Sequence, residues 1–156
     1  MAKTVMEVFD HTASAHAAKT ALRVKRDGYW VALSWSEYHR DVRRAAKSLI
    51  KLGLEPGKGV SIIGYNCPGW FIADMAAIYA GAVPAGIYTT NSPEQCQYIA
   101  HHCEAQIAVV ENADQLAKFK AVRSDLPHLK AIVMIDGEDG DDDVYGWNNF
   151  LALGDD

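Results

Sequence analysis

Apolar and polar positions along this chain follow two different periods, and each change of period marks a new element. Residues 4–16 space their apolar side chains as a helix does, which predicts a short helix at the start. Residues 20–35 are partly alternating and rich in aromatic and β-branched side chains around an Asp27-Gly28 pair. That arrangement is typical of a β-hairpin.

A capping box opens the next predicted helix. Ser34 stands three residues before Glu37, so its hydroxyl can accept a hydrogen bond from the Glu37 amide. Apolar residues then keep helical spacing from Tyr38 to Ile50, and Gly53 lies where a C-terminal helix cap belongs. The sequence therefore predicts a long amphipathic helix that ends just before Gly53.

Four apolar runs follow at a nearly constant interval. They begin near Val60, Val83, Ile107 and Ala131, and each interval has room for one helix of about three turns. Strands that alternate with helices in this way predict βαβ units with right-handed crossovers. We therefore expect an α/β fold: a mainly parallel sheet of about four strands, helices on both faces, and the hairpin at the N-terminus.

The last part of the chain has a strong bias in charge. Residues 136–143 contain six acidic residues and two glycines, which predicts a solvated acidic loop. A last short helix is predicted within residues 145–153. No linker separates these elements, so residues 1–156 are predicted to form a single domain.

Composition argues against several classes of protein. The net charge is −5, whereas a nucleic-acid-binding surface would be basic. No apolar run approaches the roughly 20 residues that a membrane-spanning helix needs, and the N-terminus lacks the apolar stretch of a signal peptide. Three cysteines, an odd number, are interpreted as reduced thiols of a cytoplasmic protein, with a peripheral membrane location as the alternative.

The cysteines also raise the question of a metal site. Cys96 and Cys103 are seven residues apart on a predicted apolar helix face, where we expect them to be buried as small hydrophobic side chains. His101 and His102 are neighbours and point in different directions, whereas a zinc site needs about four converging ligands. We therefore predict no metal site. The four tryptophans are interpreted as packing anchors: Trp30, Trp35, Trp70 and Trp147.

Polar residues follow the predicted parallel strands, where such sheets bind their ligands. This edge comprises Gly64, Tyr65 and Asn66 after the first strand, Tyr88, Thr89, Thr90 and Asn91 after the second, and Glu111 and Asn112 after the third. Helix N-termini after Asn66 and Asn91 offer free amides to an anion. Tyr65, Asn66, Thr89, Thr90 and Asn91 are therefore candidate ligand-binding residues. The alternative is that the asparagine and serine residues here only cap helices.

Several motifs, in their order and spacing, resemble one family of enzymes. They are GKGVSII at 57–63, NCPGW at 66–70, GAVPAGIY at 81–88 and LPHLKAI at 126–132. Together they resemble the N-terminal part of the AMP-forming acyl-CoA synthetases, which are adenylate-forming ligases. The stretch TTNSPE at 89–94 is most similar to the long-chain synthetases of the bubblegum group. The resemblance covers nearly the whole chain.

The resemblance implies ATP-dependent activation of a fatty acid by a parent enzyme. In that family an acyl-adenylate and pyrophosphate form first, the acyl group then passes to CoA, and Mg²⁺ offsets phosphate charge. The family holds the ATP phosphates with a Ser/Thr/Gly-rich loop that carries a lysine. Residues 89–92 are superficially similar but contain neither glycine nor lysine. No catalytic residue is therefore assigned, and we expect this N-terminal portion to hold no cofactor and to be inactive alone.

Two alternatives accompany this expectation. The chain could be a stand-alone flavodoxin-like binding or interaction module. A basic group on the first long helix is interpreted as a solvated face, with contact to CoA phosphates or to a membrane as the alternative: Arg40, Arg43, Arg44 and Lys47.

The expected partner is the remainder of the parent synthetase, which would take the fatty acid. A face left bare around Trp70, Met75 and Ile78, beside an open strand edge, predicts self-association.

Overall fold

The computed structural model describes residues 3–155 as two sheets with helices around the larger one. The smaller sheet is an antiparallel hairpin of β1 (Thr20–Arg26) and β2 (Tyr29–Ser34). The larger sheet contains β3 (Gly59–Ile63), β4 (Val83–Ile87), β5 (Ala105–Val110), β6 (Ala131–Met134) and β7 (Val144–Gly146). The helices are α1 (Val5–Ala15), α2 (Trp35–Lys51), α3 (Pro68–Tyr79), α4 (Pro93–His102), α5 (Ala113–Ala121) and α6 (Trp147–Ala152), and Arg123–Asp125 forms a 3₁₀ turn.

The larger sheet is parallel throughout, with strand order β4-β3-β5-β6-β7. Successive side chains point to opposite faces of its strands. Ile62 of β3 therefore packs against α2 and α3, in a cluster that also includes residues of α1 and α6. Its neighbour Ile63 packs on the other side with residues of α4 and α5. The predicted α/β class, the parallel sheet, the helices on both faces and the N-terminal hairpin are confirmed.

The sheet has five strands rather than about four. The additional strand, β7, has only three residues and directly follows the acidic run, so it has no recognisable apolar period of its own. Ion pairs hold the preceding segment to α5, because Lys120 Nζ lies 2.8 Å from carboxylate oxygens of both Asp139 and Asp141. Arg123 pairs with Asp143 at 3.0 Å. Tyr145, which we expected in the last helix, is instead in β7.

The capping box of α2 is confirmed. The Ser34 amide donates to Glu37 Oε2 at 2.8 Å, and the Glu37 amide donates to Ser34 Oγ at 3.3 Å. The Ser34 hydroxyl also donates to Glu37 Oε2 at 2.6 Å, and this bond, followed by the bond from the Ser34 amide, lowers the pKa of the Glu37 carboxyl group. After α2, Gly53 has φ +88°, a left-handed conformation that favours glycine.

Three of the four tryptophans pack as predicted. Trp35, Trp70 and Trp147 are half-buried against the cluster that includes Ile62. The prediction was wrong for Trp30, whose side chain is 67% exposed on the hairpin. The aromatic and β-branched sequence places Trp30 in a β-strand as expected. Only one face of the hairpin packs against the rest of the protein, however, and Trp30 lies on the other face.

Cys96 is fully buried in α4, and burial raises the pKa of its thiol. Cys103, which was also predicted to be buried, is only half-buried, as is Cys67. Only the thiolate reacts readily with alkylating reagents. In a Cys67→Ser/Cys103→Ser variant we therefore expect Cys96 to react roughly 100-fold or more slowly in the folded state than in denaturant, because labelling requires opening of the core. Time-resolved alkylation followed by mass spectrometry measures both rates. Equal rates in the two states would show that α4 does not protect this thiol.

Candidate functional site

A groove of about 500 Å³ lies at the carboxyl ends of β3 and β4. It is lined by Gly64, Tyr65, Asn66, Trp70, Gly86, Ile87, Tyr88 and Thr89. Three of the five candidate residues, Tyr65, Asn66 and Thr89, therefore lie together. Thr90 is exposed beyond the groove, and Asn91 lies in a second depression beside α4. The structure thus brings part of the candidate set into one site and leaves the last two residues outside it.

Two glycines allow side chains to approach the strand ends closely. A Cβ atom at Gly86 would lie 3.3 Å from Cζ2 of Trp70. A Cβ atom at Gly64 would lie 2.8 Å from Cβ of Glu111, closer than such atoms can pack. Glycine at these two positions therefore lets Trp70 line the groove and lets Glu111 pack against the end of β3.

Aromatic side chains form much of the groove wall. Tyr65 is 68% exposed and Tyr88 is 82% exposed, whereas Trp70 is half-buried between the groove and Phe71, with ring centroids 5.5 Å apart. Lys118 Nζ donates to the Thr89 carbonyl oxygen at 2.6 Å and so fixes the chain after β4. Aromatic faces beside amide and hydroxyl groups suit a ligand that is partly apolar and partly polar.

A carboxylate lies where the strand order reverses, between β3 and β5. Such a switch point is the usual ligand crevice of an open parallel sheet. Here the Tyr65 amide donates to Glu111 Oε2 at 2.8 Å, and the Glu111 amide donates to the Ile63 carbonyl oxygen at 2.9 Å. The negative charge of Glu111 therefore occupies a position that an anionic ligand would need. Sequence analysis placed Glu111 at this edge but did not predict its bond to Tyr65, because that contact joins two strands far apart in the chain.

The nearby helix N-termini differ in how their amides are satisfied. The Gln95 amide of α4 donates to Ser92 Oγ at 3.3 Å, and the Gln115 amide of α5 donates to Asn112 Oδ1 at 3.2 Å. Helix capping therefore accounts for Ser92 and Asn112. The N-terminus of α3 has no side-chain cap among the described residues, and Asn66 and Trp70 on either side of it line the groove.

The strand order and the edge groove define a doubly wound α/β class that includes flavodoxin-like proteins as well as nucleotide-using enzymes. The sequence is more specific than the fold. The profile of the family described as "AMP-binding enzyme" matches residues 9–150. The chain belongs to this family.

Curated relatives narrow the similarity further. The chain is 45% identical to the long-chain-fatty-acid–CoA ligase ACSBG2 of Xenopus laevis over 98% of its length, and 46% identical to ACSBG2 of Gallus gallus over 99%. It is 43% identical to ACSBG1 of Rattus norvegicus over 84%. The chain spans about a fifth of the length of these relatives: 21%, 21% and 18%.

Solved structures support the fold. The anthranilate CoA ligase AuaEII, solved with anthranoyl-AMP, superposes with a TM-score of 0.85 at 23% identity, covering 96% of this chain and 28% of that one. The acetoacetyl-CoA synthetase of Streptomyces lividans gives a TM-score of 0.82 at 22% identity, covering 94% and 24%. The chain thus has the fold of a part of these larger enzymes.

We expect Gly64→Ala to destabilise the protein, because its new methyl group would collide with the Glu111 side chain. Overpacking of this kind costs about 1–3 kcal/mol in the free energy of unfolding. Urea unfolding followed by circular dichroism measures the change. Gly140→Ala is the matched control, since a Cβ atom there meets no atom within 4 Å. If the two variants unfolded at the same urea concentration, the close packing of Gly64 on Glu111 would be wrong.

Proposed function

We propose that this chain forms the N-terminal portion of the large domain of a long-chain fatty acid–CoA ligase. The observation that carries the proposal is the 45% identity to a long-chain-fatty-acid–CoA ligase across 98% of the chain. The parent enzyme would use ATP, Mg²⁺ and CoA, as befits a member of the AMP-binding family. The role of the present residues is to support the sheet and to supply one wall of the groove between β3 and β4.

We propose further that these residues alone do not form an acyl-adenylate. Catalysis of adenylation depends on positive groups that stabilise the reacting phosphates. At the carboxyl edge of this sheet, Glu111 places a negative charge at the switch point, and the nearby Lys118 is bonded to the Thr89 carbonyl oxygen. This arrangement would repel a triphosphate rather than hold one, so the catalytic groups would come from other parts of the parent enzyme.

The alternative, a stand-alone flavodoxin-like module, is not favoured. The sheet order is compatible with it, since flavodoxin-like proteins share that order. The family match over residues 9–150 favours the ligase instead.

Three unpaired cysteines support a cytoplasmic location for the ligase. No helix within residues 3–155 is long and apolar enough to cross a membrane.

A chimera tests the proposed function. Residues 1–156 would replace the aligned segment of Gallus gallus ACSBG2, to which they are 46% identical. If the segment is a scaffold, the chimera should form acyl-CoA from a long-chain fatty acid with kcat/KM within about tenfold of the parent, a loss of roughly 1.4 kcal/mol. A chimera that folds but forms no acyl-CoA would count against the proposal. The control is a second chimera in which an unrelated flavodoxin replaces the same segment of ACSBG2.

The chain by itself, incubated with ATP, Mg²⁺ and a long-chain fatty acid, should release no pyrophosphate above background. Full-length Gallus gallus ACSBG2 in the same assay provides the positive control. Pyrophosphate release that depends on the fatty acid and on the purified chain would contradict the proposed inactivity. That result would leave the chimera experiment, and hence the family role, unaffected.

We also expect the isolated chain to self-associate. Strand β4 is at the end of the sheet and its first residue, Val83, is 53% exposed. Trp70, Met75 and Ile78 of α3 are only half-buried. An unpaired strand edge next to apolar surface recruits other chains. Multi-angle light scattering across a micromolar dilution series should show a dimer or a larger assembly. A constant mass of 17.1 kDa, that of the single chain, would refute self-association.

A further inference from the structure

The β1–β2 hairpin exposes two large aromatic side chains near its turn. Tyr29 is 79% exposed and Trp30 is 67% exposed. The turn itself is tight, because Asp27 and Gly28 both have positive φ, at 48° and 84°. Tryptophan usually buries most of its surface, so a tryptophan this exposed is uncommon.

The register of the hairpin separates its two faces. Val24 lies opposite Val31, and both line an apolar cavity of about 190 Å³ against Ile72 and Trp147 of the protein body. Since directly opposite residues share a face and neighbouring residues alternate, Trp30 lies on the other face. That face therefore points away from the protein body, and it is the outer face of the hairpin.

Cations surround Trp30 on this outer face. Lys25 is its directly opposite partner in the register, and Arg23 is two residues further along the same strand. Arg26 and Tyr29 form the next opposite pair and so lie on the inner face, where Arg26 lines the same cavity as Val24. Within residues 3–155, the side chains of Arg23 and Lys25 form no ion pair or hydrogen bond with another side chain. By contrast, ion pairs engage cations elsewhere in the fold, among them Arg44, Lys120, Arg123 and Lys130.

Charge is also distributed unevenly along the chain, and the positive part is the one that contains the hairpin. Residues 1–60 carry a net positive formal charge, and residues 61–156 carry a negative charge larger than the −5 of the whole chain. A negatively charged surface would therefore attract the part of the chain that contains the hairpin and repel the rest. Such an asymmetry orients a protein as well as attracting it.

We propose that the outer face of the β1–β2 hairpin is a docking site for an anionic lipid bilayer. Tryptophan and tyrosine partition to the boundary between headgroups and acyl chains, where an apolar ring and a polar tip are both accommodated. Lysine and arginine beside them gain about fivefold in affinity each from the negative surface potential of such a membrane. Trp30 inserts at this boundary, and Arg23 and Lys25 contact phosphate headgroups.

A bilayer fits this surface better than a protein partner does. A stable protein interface buries about 800 Å² on each side around a packed hydrophobic centre. The outer face offers a single large apolar side chain, Trp30, among flexible cations, which is too small a centre for such an interface. A lipid surface needs no complementary shape, so one aromatic ring and a few cations suffice for reversible binding.

Vesicle binding by the whole chain tests the proposal. Phosphatidylcholine vesicles with phosphatidylserine should sediment the chain and shift its tryptophan emission to shorter wavelength, whereas vesicles of phosphatidylcholine alone should do neither. Arg23→Gln/Lys25→Gln should weaken binding roughly 25-fold, at about fivefold for each cation. Trp30→Phe should remove the emission shift, and Trp30→Ala should weaken binding as well.

Matched variants separate docking from general attraction. Lys3→Gln/Lys19→Gln removes the same charge outside the hairpin strands, and Tyr98→Ala removes an aromatic ring that is also 67% exposed, on α4. Both should bind vesicles as the unmodified chain does, and circular dichroism should show every variant folded. The proposal would be overturned if the chain did not bind the vesicles, or if the two double variants lost the same amount of vesicle binding. It would also be overturned if the emission shift persisted in Trp30→Phe. The test does not depend on ligase activity.

Discussion

The structure depends on the burial of β3 and β5 on both faces of the sheet. Every residue of these two adjacent strands is buried, including Ser61 and Gln106. A parallel pair in this position cannot be stable unless helices cover it on both sides. The placing of α2 and α3 on one face and of α4 and α5 on the other therefore follows from these two strands. So does the strand edge at which the groove opens.

Close contacts between backbone segments hold the centre of this sheet together. A Cβ atom at Gly59, the first residue of β3, would lie 2.4 Å from the carbonyl oxygen of Cys103. The turn before β5 thus packs directly on the start of β3, and Glu104 in that turn has φ 50°. Lys58 and Glu104 form an ion pair beside it. Glycine at position 59 is required by this approach rather than by backbone conformation.

Most of the fold could be predicted from the sequence because its signals are local. The regular spacing of apolar runs identified β3 to β6, and the capping box at Ser34 identified the start of α2. Strand β7 could not be predicted, since it has only three residues and the segment before it is held by ion pairs with Lys120 and Arg123 that join distant parts of the chain. For the same reason the edge of the sheet was predictable but its chemistry was only partly so. Tyr65 and Thr89 meet in the groove, whereas Thr90 continues past it and the bond to Glu111 spans 46 residues.

The exposed ion pairs just before β7 make this border of the sheet sensitive to salt and acid. Asp139 and Asp141 attach the acidic loop to α5 through exposed contacts with one lysine, and β7 follows a few residues later. Added salt screens exposed ion pairs, and acid protonates their aspartates and so removes the negative charge. The hydrogen bond from Lys120 lowers the pKa of Asp139, so this attachment persists until the pH falls below the usual range of an aspartate. The β7 edge of the sheet can thus open and close again under conditions that leave β3 and β5 fully paired.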